Sequence, residues 1–385
     1  MKRLPLNWRA LTMVGALLAI WVVFSLATGG TFLLPRNLSL LARQMAVTSI
    51  LAVGMVLVIV AGQIDLSVGA LAGLTGALAA LAYARLGWPL ALAIVLALVV
   101  GAPLGALEGS LVAWLRIPPF IVTLGGMLVF QGTLLGVTGG VSTSPPRPFL
   151  FLGQAYLPKL AGWIVAAVVA AALTFTASRA QGRRRLGRLG LAALAIGAVA
   201  LMNAYAGVPV PVLIVLALAT VLSTVANHTP FGRHLYAIGG NREAAFYSGI
   251  AIEGHLVGVF TLMGLLAGAA GVVLTARVGA ATPNAGQLME LDAIAAAVIG
   301  GTSLLGGQGT VWGALLGALV MASLDNGMSL MNTEAFWQPI IKGLILVTAV
   351  GADLAEARDL AYTAMGRIRF EGMHLSKGLS GRRQF

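Results

Sequence analysis

Runs of about 20 mostly apolar residues recur along almost the whole chain, and that is the length an α-helix needs to cross a bilayer. Such stretches lie at roughly 10–30, 45–62, 66–84, 88–115, 120–138, 162–178, 190–203, 208–226, 255–277, 288–305, 310–330 and 333–352. Only 9% of the residues are charged, against roughly a quarter in soluble globular domains, so a water-soluble fold is excluded. The fold class is an all-α polytopic membrane protein with 10–12 transmembrane helices. The range arises because 190–203 is short, 45–84 is nearly continuous, and 288–305 is interrupted by glycine and polar residues, as in a broken or re-entrant segment. The 50 glycines fit this class, since small residues let transmembrane helices pack closely.

The net charge of +12 is explained by topology. With the N-terminus cytoplasmic, Arg36, Arg43, Arg85, Arg147, Lys159 and Arg277 fall outside and Lys342 falls within a span, leaving seventeen of the 24 Lys and Arg inside. That asymmetry places both termini in the cytoplasm. The run Arg179 to Arg188 reads as a topological anchor in a cytoplasmic loop, without the fold signature or aromatic interleaving of nucleic-acid binding. The apolar stretch from Ala10 to about Ala27 is longer than a signal-peptide core and lacks a persuasive cleavage pattern, so it is read as a retained first span. The chain is expected to form one membrane domain over 1–385, with an inserted helical pair at 150–205, a cytoplasmic loop at 228–254 and a cytoplasmic tail at 353–385. There is no cysteine, which excludes disulfides, thiolate metal sites and cysteine nucleophiles.

Three interruptions look like more than connectors. The longest, Asn227 to His255, contains a two-turn helix over Arg242 to Ser248 introduced by Gly239-Gly240. Asn241 can cap it, Glu243 sits in the first turn where the helix dipole favours an anion, Ala244 and Ala245 propagate it, and Gly249 stops it. So short a helix needs a surface to dock on, on this chain or another. The second, Ala61 to Gly76, places Asp65 between two apolar stretches, where facing lipid would cost roughly 2.5–3.5 kcal/mol. Two readings stand: Asp65 caps the next helix from a water-exposed turn with Leu66 starting it, or a discontinuous helix lines a polar path with Gln63, Asp65 and Ser67. In the third, Gln287 to Gly313, Glu290 and Asp292 precede a short apolar run that Gly300, Gly301, Gly306, Gly307 and Gly309 then break. This suits irregular backbone lining a cavity. No lysine follows these glycines as a nucleotide-binding loop requires, here or elsewhere, so any ATP that drives the protein is bound by another chain.

Near the last two spans, Lys342 is expected to pair with Glu334 or Asp325, because an unpaired intramembrane ammonium is costly. Glu108, in the fourth span, is open to the same two readings, pairing or proton relay. His228, His234, His255 and His374 are placed in loops or tails without metal-ligand spacing, so no metal is assigned, and no catalytic set is apparent.

In this order, AGQIDLSVGALAGL at 61–74, AIGGNREAAFYSGI at 237–250 and AAAVIGGTSLLGGQGTVWGALLGAL at 295–319 resemble the permease subunits of bacterial ABC importers for monosaccharides of the ribose, xylose and galactoside type. The likeness extends over most of the chain. The family usually shows Gly-Gly-Ile-Asp-Leu-Ser-Val-Gly, and here Gln63 stands in place of the second glycine. The extra helical pair at 150–205 looks most like the xylose subgroup. The resemblance implies a bacterial inner-membrane subunit that binds no cofactor itself. Its implied partners are a second permease copy, an ATPase with two fused nucleotide-binding modules on which the helix from Asn241 to Gly249 docks, and an extracytoplasmic sugar-binding protein. The alternative of another class is a self-contained proton-driven transporter using Asp65, Glu108 and Lys342.

Overall fold

The computed structural model describes residues 8–179, 182–334, 336–348 and 351. The tail from 353 with His374, and the segment holding Lys2 and Arg3, lie outside the described residues. Among the described residues, eight helices are long and apolar enough to cross a membrane: α2 (Pro35–Val60), α4 (Leu90–Ala113), α5 (Pro119–Thr138), α7 (Lys159–Ser178), α8 (Arg183–Asn203), α9 (Val210–His228), α12 (Ile252–Val278) and α14 (Val311–Leu330). Two further apolar helices are α1 (Trp8–Ala27) and α3 (Val68–Ala84). The shorter ones are α6 (Arg147–Gln154), α10 (Pro230–Gly240), α11 (Arg242–Tyr247) and α13 (Met289–Ile299), and a helix that we number α15 covers 337–348. The all-α polytopic reading holds.

Helix starts follow from local chemistry. At the lipid-facing helices α5 and α9, and at α2, proline occupies the first turn, where its missing N–H costs nothing. Where a helix begins inside a polar junction, a side chain supplies the cap: Thr229 accepts from Gly232 N–H at 3.2 Å, Asn241 from Ala244 N–H at 2.9 Å and Thr310 from Gly313 N–H at 3.0 Å.

In their most apolar stretches α2, α12 and α14 are 78%, 67% and 72% buried, against 11–28% for α4, α5, α7, α8 and α9. The first three therefore form the centre and the others the lipid-facing rim. α1 joins this centre through Trp21 Nε1, which donates to Ser323 Oγ of α14 at 3.0 Å. The most extensive crossing is α4 on α12. A Cβ at Gly264 would overlap Gly101 O, one at Gly101 would overlap Gly264 O, and one at Gly105 would overlap Phe260 O. With no hydrophobic drive between helices in lipid, this backbone approach is what holds α4 on. A Gly264→Leu variant is expected to lose about 2 kcal/mol or more of stability, visible as early thermal aggregation of the detergent-solubilised protein.

Several spans differ from their sequence reading. α8 starts at Arg183, so the expected short span is a full crossing of 21 residues. Arginine propagates helix well, so the basic run from Arg183 to Arg188 joins the helix. α2 begins ten residues before the expected start at 45, and the nearly continuous stretch is split by the loop 61–67.

Two broken segments organise the interior. Ala72 and Gly76 lie against Gly271, and Gly76 also meets Thr275, so α3 runs parallel to α12 and begins level with about Ala267. That is roughly 22 Å along the ~40 Å of α12. The loop 61–67 therefore enters from the end carrying α10 and α11, and α3 starts near mid-depth. From the opposite end, where Ala281 bridges Thr143, residues 279–288 descend until Ala285 and Gly286 pack on Gly73 and Gly69. There α13 begins, and its 11 residues span about 16 Å, half a bilayer, back toward α10. The expected broken segment at 288–305 is this half-helix and the glycine loop after it.

Candidate functional site

At the α10–α11 end, the three singled-out segments meet backbone to backbone. Val60 O, closing α2, accepts from Gly307 N–H of the glycine loop at 2.9 Å. Gly239 of α10 is wedged against both: a Cβ on it would overlap Val60 O and stand 2.8 Å from Gly307 N. Gly306 and Gly307 turn the loop with φ of +85° and +71°, a region that favours glycine, and bring it onto Gly239 and Gly240. Tyr236 Oη of α10 donates to Gly309 O at 2.8 Å. Any displacement of α10 is thus applied directly to the end of α2 and to the loop joining α13 to α14.

α11 follows α10 across the Asn241 cap. Glu243 and Ala244 of α11 are exposed, Ala245 is buried against the bundle, and Gly249 ends the segment with φ +79°. The side chains that α11 presents outward include two that the sequence reading missed, Phe246 and Tyr247, exposed by 63% and 85% with ring centroids 5.7 Å apart. Gly239 and Gly240 do not introduce α11 from a loop, as expected, but are the last two residues of α10. The sequence carried a signal for α10: Thr229-Pro230 is a cap and first-turn proline, and Gly232, Leu235 and Ile238 form a buried stripe at spacing three.

The histidines also need correction, because His228 ends α9, His234 lies in α10 and His255 in α12. His255 Nδ1 lies 2.6 Å from Ala251 O and so carries the hydrogen, leaving Nε2 to accept from His234 Nδ1–H at 2.9 Å. Phe231 stacks on His255 at 5.6 Å. This pair ties α10 to the start of α12.

At mid-depth the starts of α3 and α13 lie side by side, and buried carboxyl groups gather there. Asp65, Glu108 and Glu290 are 2%, 3% and 5% exposed. Asp65 is not the cap of α3 in a water-exposed turn; the capping position is Ser67 and the helix begins at Val68. Asp65 Oδ1 instead accepts from Ser67 N–H at 2.9 Å and lies 2.7 Å from Ser67 Oγ. Gln63 is buried beside it, with Nε2 donating to Ala61 O at 3.3 Å. Anionic side chains at helix starts are favoured by the backbone dipoles, which is why acidic residues lead both half-helices.

On the outer side of α13, Lys342 Nζ of α15 lies 3.0 Å from Asp292 Oδ1 and 2.9 Å from Asp325 Oδ2 of α14. The expected alternative Glu334 is exposed, and Asp292, fifty residues away in sequence, takes its place. A cavity of about 250 Å³ opens here, lined by Gln287, Asp292, Gln338 and Lys342 among apolar neighbours. Gly300, by contrast, is packed on Gly313 at the other end of α13, and Gly301 follows it into the glycine loop.

Residues 37–350 match the family described as the permease component of a branched-chain amino acid transport system. The chain belongs to this permease family. Among curated relatives, it is similar to the xylose transport system permease protein XylH of Escherichia coli K12, 47% identical over 369 residues, 92% of this chain and 93% of that protein. XylH of Haemophilus influenzae is 42% identical over 93% of this chain and all of that protein. The ribose import permease RbsC of Bacillus subtilis is 37% identical over 87% of this chain and 90% of that protein. No solved structure matches. The permease is a multi-pass inner-membrane protein.

Proposed function

We propose that the chain is the membrane-spanning permease subunit of an ATP-driven importer that carries xylose or a related pentose by alternating access. The xylose-type relatives at 47% and 42% identity favour that sugar over the ribose carried by a relative at 37%. The observation that carries the mechanism is the junction of Val60, Gly239 and Gly307. Its partners, in this reading, are a second copy of the chain, an extracytoplasmic sugar-binding protein and an ATPase with two fused nucleotide-binding modules, which binds the ATP. The α10–α11 end is cytoplasmic, as is each terminus. α11 docks on the ATPase through Phe246, Tyr247 and Glu243, with Asn241 and Gly249 fixing its ends and Ala244 and Ala245 its fold.

ATP binding on the partner moves α11 and α10, and the junction passes that motion to the loop 61–67 and to the glycine loop with Gly300 and Gly301. The first leads to the start of α3 and the second to the end of α13, and Gln63, Asp65 and Ser67 on one segment and Asp292 on the other border the path. The two states differ in which end of the bundle is open, and ligands shift them only by differential affinity. Selectivity rests with the external binding protein, so a weak polar cavity such as that beside Asp292 suffices for transit.

Uptake into proteoliposomes tests this. Sugar uptake is expected only when the chain is reconstituted with its ATPase, ATP and the binding protein; uptake by the chain alone under a proton gradient would overturn the reading. In the complete system Phe246→Ala with Tyr247→Ala should remove a docking anchor worth about 2 kcal/mol, weakening ATPase binding about 30-fold. Membrane insertion should be unchanged, because both side chains are exposed.

A further inference from the structure

Ser67 Oγ lies between two carboxyl groups, 2.7 Å from Asp65 Oδ1 and 2.9 Å from Glu108 Oε2. A serine hydroxyl has one hydrogen to donate. Were both carboxyls ionised, one of these two contacts would set lone pairs against lone pairs at hydrogen-bond distance, inside the helix bundle. One more hydrogen is therefore needed, and the surroundings say where it sits. Asp65 Oδ1 already receives the Ser67 N–H as well as the shorter hydroxyl contact. Glu108 has no such support: its other oxygen, Oε1, is buried with no hydrogen-bond partner.

The elements packed around Glu108 offer no cation. The loop before α3 supplies Asp65 and Ser67, α5 supplies Gly126 and Phe130, and α12 meets this turn of α4 with Val257 and Phe260. Beyond the first turn of α3 stands a third carboxyl, Glu290, seated against Gly69. Among the described residues, none of the three carboxyls is in an ion pair. A charged carboxylate with one hydrogen bond and an orphaned oxygen is a costly group to bury, whereas a neutral carboxylic acid is both a donor and far cheaper to desolvate.

We propose that Glu108 is a protonated carboxylic acid that donates to Ser67 and so positions the start of the broken helix α3 against α4. Ser67 in turn donates to Asp65, making a chain of hydrogen bonds in which every hydrogen has an acceptor. The link matters because the loop 61–67 leading into α3 is irregular backbone, while α4 is locked on α12 by its glycine crossing. Gly126 belongs to the same device. A Cβ there would overlap Glu108 Oε1, so glycine lets α5 close over the carboxyl group. Glu108 is thus a positioning residue and stays neutral where a relay would require it to lose and regain its proton.

The uptake part of the test rests on the importer reading; the spectroscopic part does not. Infrared spectra of the purified wild-type chain at neutral pH are expected to contain the carbonyl band of a protonated carboxylic acid that is missing from Glu108→Gln. In the reconstituted importer, Glu108→Gln, which keeps a neutral donor of the same length, should retain uptake within about two-fold. Glu108→Ala, which removes the donor, should lose about ten-fold. Absence of a band assignable to Glu108 in the folded wild type would overturn the proposal, even if the alanine variant cannot be purified. So would a Glu108→Gln variant as impaired as Glu108→Ala. If the band is present while the wild-type complex moves no sugar, the importer reading fails and the proton placement stands.

Discussion

Replacing Gly239 with valine is expected to reduce ATP-driven uptake to background while the protein still inserts in the membrane. The added Cβ would overlap Val60 O and come within 2.8 Å of Gly307 N, and both are backbone atoms that cannot swing aside as a side chain could. Either the Val60–Gly307 hydrogen bond breaks or α10 is pushed off the end of α2. Both outcomes cut the route from α11 to the two broken segments. The spans themselves do not depend on the contact, since each apolar helix satisfies its own backbone in lipid. The readout is therefore split: normal amounts of the variant in washed membranes, but uptake below about a tenth of wild type, as a loss of 1.4 kcal/mol or more in coupling implies. Gly240→Ala is the control. A Cβ at Gly240 meets nothing within 4 Å, so uptake should stay close to wild type. Full uptake by Gly239→Val would mean that motion reaches the bundle by another route, and the His234–His255 link to α12 is the next candidate.

What the sequence made legible follows from the range of the interactions involved. The spans and α11 are specified locally, by apolar length in one case and by Asn241, Glu243 and Gly249 at fixed offsets in the other. α10 has equally local signals, yet its three glycines and two charged or polar residues, Arg233 and His234, make it resemble a connector. Its helix is stabilised by packing on α2 and α9. The basic start of α8 resembles a loop for a related reason, since charge suggests water while arginine's helix propensity lets it continue the helix. Contacts that close over large separations left no such trace. Ser67 with Glu108 and Lys342 with Asp292 depend on how the broken segments bring their starts into the bundle, and Gly239 with Val60 on how α10 lies across the end of α2. Composition showed that Gln287 to Gly313 would be irregular, but not that its descent would set Glu290 against α3.

Lys342→Met is expected to destabilise the protein by about 2–3 kcal/mol, the largest single loss outside the helix crossings. It leaves Asp292 and Asp325 facing each other without the cation that both contact at about 3 Å. Breaking a fully buried pair costs roughly 3–5 kcal/mol, and the smaller figure allows for side chains that are 20%, 18% and 36% exposed. Asp292→Asn alone should cost less, about 1 kcal/mol, because Lys342 keeps Asp325. The triple variant Asp292→Asn, Asp325→Asn, Lys342→Met should recover most of the stability lost in Lys342→Met, since the penalty lies in the uncompensated charges and not in the absent pair. Thermal unfolding of the purified variants measures all three; a Lys342→Met protein that melts with wild type would show that the triad carries no structural load. The same variants bear on transport. Asp292 lies in the first turn of α13, and the far end of that helix leads through Gly300 to the loop held by Val60 and Gly239. An 11-residue helix is close to rigid over its length, so its start cannot be released without changing the angle at which its end meets the junction. Uptake by Lys342→Met should therefore fall further than its folded fraction does, and the triple variant, which restores stability but leaves α15 untied from α13, should regain its melting temperature without regaining full uptake.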